Sequence, residues 1–132
     1  MRIRNVGAIL GMITLMAGAA LAHHSFTAEY DPNKPIKLSG KVTEMKWSNL
    51  HSWIYIDVET DGKKVNWALE TGAANSLIRA GWKRDDLPTG TVLQIDGWQA
   101  RNGSHTANVR SVTFADGRRL FAASSNTAAK DK

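Results

Sequence analysis

The sequence predicts an all-β fold of five strands with one short helix, arranged as an OB-like Greek-key barrel. Apolar and polar residues alternate over several short segments, which is the period of a β-strand. Asp-Gly and Asn-Gly pairs separate some of these segments, and such pairs favour tight hairpin turns. One segment between the third and fourth strands has helical spacing instead, and this order of elements is typical of an OB fold. A small open β-sandwich is the alternative.

The first strand is predicted over residues 36–47, and its inward face changes partway along. The apolar residues up to Val42 share one parity, whereas Met45 lies on the other. Because one inserted residue reverses the faces of a strand, we expect a β-bulge near Thr43 or Glu44.

The second and third strands are predicted as a hairpin over residues 51–60 and 63–71. Asp61-Gly62 joins them, and a type I′ turn would give both residues a positive φ. The strict alternation of the second strand separates an inner face from an outer face. The inner face holds Ile54, Ile56 and Val58, and the outer face holds Trp53, Tyr55 and Asp57.

Residues 73–82 are predicted to contain the helix, because the apolar residues Ala74, Leu77, Ile78 and Gly81 fall at helical spacing. The fourth and fifth strands are predicted over 91–100 and 105–114, with a type I′ turn at Asn102-Gly103. Asp116-Gly117 can then turn the chain into a short extra strand over 118–121. The predicted core includes Ile54, Ile56, Val58, Leu77, Leu93 and Ile95.

Residues 1–22 have the pattern of a cleavable signal peptide. Arg2 and Arg4 precede an uncharged apolar run, and Ala20-Leu21-Ala22 is a small-x-small ending of the kind that signal peptidase reads. The run is shorter than the about 20 apolar residues of a spanning helix, so we expect cleavage and no later membrane association. The chain is then predicted to comprise an extended arm at 23–35, the β-domain at 36–121 and a flexible tail at 122–132.

Charge and cysteine content narrow the class of partner. The net charge is +5, and loss of Arg2 and Arg4 would lower it to +3, which is too small to indicate a nucleic-acid partner. The chain has no cysteine, so packing alone must stabilise it in an oxidising compartment. We therefore expect a periplasmic protein whose partner is another periplasmic protein or a small molecule.

Cleavage after Ala22 would create a candidate metal site at the new amino terminus. His23 could then chelate a metal through its α-amine and its imidazole, as in the histidine brace of exported copper proteins. The third nitrogen would come from His24, His51 or His105, and such a nitrogen set favours Cu(II). The alternative is a flexible, solvated terminus.

The outer face of the second strand is a second candidate site, for a ligand that needs no metal. Trp53, Tyr55 and Asp57 lie there together with His51, and exposed aromatic rings can stack on a ligand. Alternatively, the arm folds back over this face, with Phe26 or Tyr30 covering the rings. The two possibilities are compatible, because a covering arm would carry His23 towards His51.

Catalytic motifs are weakly represented. The sequence has no Gly-x-Ser-x-Gly elbow, no HExxH pair and no glycine-rich phosphate loop. The acids Glu44, Asp57, Glu59 and Glu70 are scattered, which indicates solvated strand positions more than a paired acid and base. We expect a binding module and not an enzyme.

Several segments together resemble a family of small exported bacterial proteins of unknown function. They are His23-His24-Ser25-Phe26, Asp31-Pro32, the run from Trp47 to Trp53 and the run from Gly81 to Asp85. The Trp-x-Asn-x-His-x-Trp pattern is the most specific part. Leu50 departs from it, since this family would place proline between that Asn and His. The resemblance implies export and a single domain, and it implies no activity.

Overall fold

Residues 26–123 are described in a computed structural model, and most of them lie in β-strands. A helical turn at residues 26–29 precedes the first strand. The elements are β1 (Tyr30–Lys46), β2 (Trp53–Thr60), β3 (Lys63–Glu70), α1 (Ala74–Arg79), β4 (Val92–Ala100), β5 (Thr106–Phe114) and β6 (Arg119–Phe121). The prediction of an all-β fold with one short helix is confirmed.

The six strands form one sheet, and five of them close into a ring. β1 pairs with both β2 and β4, β2 with β3, and β4 with β5, all antiparallel. A short parallel pairing between β3 and β5 completes the ring, and β6 extends the sheet beyond β5. The strands therefore belong to one continuous sheet and not to two facing sheets.

The core follows the predicted alternation. All six predicted core residues are buried, and the most exposed of them, Val58, retains 8% of its surface. Trp82 is also buried, and its indole Nε1–H donates to the Phe121 carbonyl at 2.8 Å. Ile78, predicted on the apolar face of the helix, is 43% exposed, so α1 contributes Ala74 and Leu77 to the interior.

The predicted β-bulge in β1 is confirmed. The pairing of β1 with β2 shifts register between Val42 and Glu44, so two residues of β1 oppose one residue of β2. This shift lets Val42 and Met45 both pack towards the core, although their separation in the sequence is odd.

One of the two predicted type I′ turns is present. Asp61 and Gly62 have φ values of 53° and 73°, as that turn requires. The prediction at Asn102-Gly103 is wrong, because Asp61 is the one non-glycine residue with positive φ in the described chain. Asn102 Oδ1 instead accepts a hydrogen bond from the Ser104 amide at 3.0 Å. This side-chain turn favours a five-residue loop between β4 and β5.

The first strand begins before the predicted limit of the β-domain, and the last strand ends at the predicted residue 121. β1 begins at Tyr30, inside the segment predicted as an arm, because Tyr30 pairs with Ala100 of β4. Ala122 is buried, and its amide donates to the Arg110 carbonyl at 2.9 Å. The predicted leader at 1–22 and tail residues 124–132 lie outside the described residues.

No helix within residues 26–123 has the length and apolar character needed to cross a membrane.

Candidate functional site

Four side chains form a row across the outer face of the sheet, opposite to the core. Trp98 of β4 pairs with Asn108 of β5, which pairs with Glu70 of β3, which pairs with Trp53 of β2. Residues that pair directly across neighbouring strands project on the same side of a sheet. The row therefore spans four strands.

Glu70 lies between Trp53 and Asn108 in this row, and its side chain is buried. Its side chain retains 7% of its surface. The Tyr30 hydroxyl donates to one carboxylate oxygen, and His51 Nδ1 contacts the other. The expectation that Glu70 occupies a solvated strand position is wrong, because two long-range partners cover it.

Burial, and then the adjoining Glu70 carboxylate, raise the pKa of the Tyr30 hydroxyl well above its ordinary value. The negative charge of Glu29 acts in the same direction. Tyr30 therefore remains a neutral donor to Glu70 across the physiological pH range.

The segment before β1 covers part of the same face. The Phe26 ring lies 5.7 Å from the ring of Tyr30 and 5.6 Å, edge-on, from the ring of Trp98. Arg101, in the loop between β4 and β5, donates its amide to the Glu29 carbonyl at 2.9 Å. Its guanidinium donates to the Thr27 carbonyl. This loop thus holds residues 26–31 against the sheet.

The imidazole of His51 is half-exposed, although its Nδ1 contacts a buried carboxylate. The ring lies in the loop between β1 and β2, where the neighbouring Ser52 is buried and its amide donates to the Gly72 carbonyl. Fixing Nδ1 on a carboxylate orients the ring and leaves Nε2 as the open coordinating atom.

Of the other predicted metal ligands, the structure describes only His105. His105 packs on Trp67, with ring centroids 5.1 Å apart. His23 and His24 lie outside the described residues. Between Phe26 and Ala123, no group of three or more histidine or acidic side chains is placed to hold a metal ion.

The three predicted ligand-binding residues of β2 differ in their surroundings. The Lys46 ammonium lies 5.0 Å from the centre of the Tyr55 ring. Asp57 accepts a hydrogen bond from Asn66 Nδ2 at 2.9 Å. Trp53 has neither kind of partner among residues 26–123, and it lines a cleft with Tyr30 and the loop between β4 and β5. The alternation predicts the shared face but not which residue remains available.

Asn108, beside Glu70 in the row, was not predicted as a site residue. It is 3% exposed, and its side-chain Oδ1 has no hydrogen-bond partner in the described part of the chain. A buried amide oxygen without a donor is uncommon, because its desolvation is not compensated. No local sequence pattern marks this residue, since its burial depends on four strands meeting.

Comparison with known proteins gives a family without an assigned activity. A family model described as a family of unknown function, DUF6152, matches residues 12–109. This range includes the whole row and its partners Tyr30 and His51. No curated protein matches the chain. The predicted membership is confirmed: the chain belongs to the DUF6152 family of unknown function.

Proposed function

We propose that this protein is exported to the periplasm and there acts as a non-catalytic binding module that holds Cu(II). The observation that supports this proposal is the contact between His51 Nδ1 and the buried Glu70 carboxylate. A metal-binding histidine usually donates the N–H of its other ring nitrogen to a carboxylate or a carbonyl. His51 is half-exposed, so its Nε2 is accessible to a metal.

The remaining ligands would come from the processed amino terminus. His23 precedes Phe26 by three residues, which span at most about 11 Å. The Phe26 ring packs on Tyr30, and the Tyr30 hydroxyl and His51 share Glu70. The α-amine and imidazole of His23, together with His51 Nε2, would supply three nitrogens, a set that favours Cu(II). His24 is the alternative third ligand.

The proposal assigns binding and not catalysis because the carboxylates of Glu70 and Asp57 already have hydrogen-bond partners within the protein. Glu70 is bonded to both Tyr30 and His51, and Asp57 is bonded to Asn66. Neither carboxylate is offered to a substrate as a general acid or base. The partner that receives or supplies the metal would be a periplasmic protein or a small molecule, and not nucleic acid.

The first test concerns the amino terminus. Expression of the 132-residue precursor should yield an exported product whose intact mass corresponds to a start at His23. Calorimetry should then show one Cu(II) bound per chain. A matched chain with one glycine before His23 should bind far more weakly, because the added residue converts the amine into an amide. Equal copper affinity of the two chains would refute the amino-terminal site.

A second comparison identifies the ligand on the sheet. His51→Ala should lose copper affinity, whereas His105→Ala should retain it, because His105 packs on Trp67. Glu70→Gln preserves the shape of the side chain and removes its charge, and it should weaken binding by about 10–100-fold. If His105→Ala is the variant that loses affinity, the assignment of His51 is wrong.

A metal-independent binding module is the second candidate function. The observation that favours it is the Trp53 ring, which contacts no other ring or cation within residues 26–123 and lines a cleft of about 380 Å³. This volume is close to the lower end of the about 300–1,000 Å³ range of small-molecule sites. Under this alternative, the chain starting at His23 binds no copper, and a ligand contacts Trp53.

A further inference from the structure

Two walls, each held by hydrogen bonds, line an open cleft at Trp53. One wall is residues 28–30, which are held by the Arg101 amide through the Glu29 carbonyl. The other is the loop between β4 and β5, where Gln99 Nε2 donates to the Ser104 carbonyl at 3.1 Å. Because both walls are fixed by such contacts, a ligand entering the cleft would lose little free energy in ordering them.

Trp53 provides the apolar surface of this cleft. Its side chain is half-buried, and within residues 26–123 its ring stacks on no other aromatic ring. Its indole N–H also has no acceptor there. An indole ring can pack on the C–H surface of a ligand while its N–H donates to a polar substituent.

The rim of the cleft carries polar groups of both kinds. The Glu29 carboxylate and the hydroxyls of Ser104 and Thr106 make no hydrogen bond within the described chain. The Asn102 amide uses its oxygen on the Ser104 amide, so its NH₂ group remains available. The residues that line the cleft with Trp53 therefore include both hydrogen-bond acceptors and donors.

We propose that this cleft binds a pyranose sugar, with its C–H face on Trp53 and its hydroxyls on the rim. A sugar hydroxyl both donates and accepts, so it matches a mixed set of carboxylate, amide and hydroxyl groups. The proposal rests on the assignment of the protein as a binding module, and it does not require copper.

Other ligand classes fit the cleft less well. An anion would meet the Glu29 carboxylate. The one guanidinium that lines the cleft, that of Arg101, is directed to the Thr27 carbonyl and lies 3.9 Å from Asp31. An organic cation is best held by several ring faces around it, and Trp53 is the one aromatic residue in the described chain that has no contact with another ring or with a cation. Glu29 alone would then supply the countercharge.

Nuclear magnetic resonance titration of the processed protein with glucose, galactose, mannose, N-acetylglucosamine and their disaccharides tests this proposal. At least one sugar should shift the Trp53 indole N–H signal and the amides of residues 102–106, with a Kd on the order of 1 mM, which corresponds to about −4 kcal/mol. Trp53→Ala should weaken this binding at least tenfold. Phe121→Ala is the control, because this aromatic side chain is 61% exposed and does not line the cleft, and it should leave the affinity unchanged.

Because Trp53→Ala could lose sugar binding through misfolding, a second variant at the exposed residue Glu29 tests the same cleft. Glu29 is exposed, so Glu29→Gln should keep the native spectrum and lower sugar affinity. The proposal is overturned if no sugar shifts these signals at tens of millimolar, if Trp53→Ala binds as well as the parent, or if choline or acetate shifts them instead. Sugar binding without copper binding would refute the metal site and leave this inference standing.

Discussion

The hydroxyl of Tyr30 is buried and donates to the Glu70 carboxylate, so its removal should lower the stability of the protein. Tyr30→Phe leaves one carboxylate oxygen of Glu70 buried without a donor. We expect a loss of about 1–3 kcal/mol in the free energy of unfolding at neutral pH, measured in urea. Tyr55→Phe is the control, because the Tyr55 hydroxyl has no hydrogen-bond partner in the described residues. Its effect should stay within about 0.5 kcal/mol.

Tyr30→Phe should also change how the free energy of unfolding depends on pH above about pH 10. The pKa of Tyr30 is raised in the folded state, by burial first and then by Glu70. Above the unfolded value of about 10, the unfolded chain therefore releases a proton that the folded chain keeps. This group's contribution to stability is complete below pH 10 and declines above it by about 1.4 kcal/mol per pH unit. Tyr30→Phe should show a shallower decline than the parent, and identical slopes would contradict this account.

At this scale, alternation along a strand predicts faces but not burial. The period of two correctly places Trp53 outside and Ile54 inside. It cannot predict that Glu70 is buried, because one of its partners, Tyr30, lies forty residues earlier in the sequence. A hydrogen bond between residues so far apart in the sequence produces no pattern within either strand.

Among the elements, the loop between β1 and β2 positions His51, and Ser52 fixes that loop. The Ser52 hydroxyl donates to the Ser48 carbonyl at 3.2 Å and accepts from the Ser48 amide at 3.1 Å. The Thr71 hydroxyl donates to the Ser52 carbonyl at 3.1 Å. The loop is thereby attached to the chain that follows β3.

Ser52→Ala should lower the free energy of unfolding by about 1–3 kcal/mol, because it removes both bonds of a buried hydroxyl. It should also weaken copper binding, since His51 is the adjacent residue. Urea unfolding and calorimetry measure the two effects. Ser39→Ala replaces an exposed serine of β1 and should change neither. A Ser52→Ala protein as stable as the Ser39→Ala protein would show that the loop is held by other contacts.

Local chemistry predicts some elements and not others. The parity change in the first strand predicts the bulge, because the core accepts side chains from one face alone. Asp61-Gly62 predicts its turn for the same local reason. The loop at residues 101–105 differs because the Asn102 side chain competes for the Ser104 amide. Pair identity alone does not predict the outcome of that competition.

For the whole molecule, β1 connects the ring to the candidate site. Its first part pairs with β4 and its second part with β2, so this one strand joins β2 to β4 within the ring. Its first residue is Tyr30, which reaches Glu70 on β3. A substitution that separates β1 from its neighbours should therefore disturb the contact between Tyr30 and Glu70 as well as the core. The sequence predicts these strands individually. It does not predict how closely the backbones of β1 and β2 approach each other, because that distance depends on the whole ring of strands.

Gly40 tests this connection, because it lies where β1 passes from one partner to the other. Gly40 pairs with Leu93 of β4, and the next residue, Lys41, pairs with Asp57 of β2 as well as with β4. A Cβ atom at Gly40 would lie 2.5 Å from the Asp57 carbonyl oxygen and 3.2 Å from the Ile56 side chain. The first contact is with backbone, which cannot rotate away, so the two strands would have to separate.

Gly40→Ala should therefore destabilise the protein by about 3 kcal/mol, at the upper end of the usual cost of overpacking. Urea unfolding measures the loss, and hydrogen exchange should quicken at the amides that join β1 and β2. Gly117→Ala is the control: a Cβ there would meet no atom within 4 Å, but φ is +88°. Its cost should be about 1–2 kcal/mol from backbone strain, with no change at β1. If Gly40→Ala is no less stable than Gly117→Ala, the close approach of β1 to β2 does not require glycine at position 40.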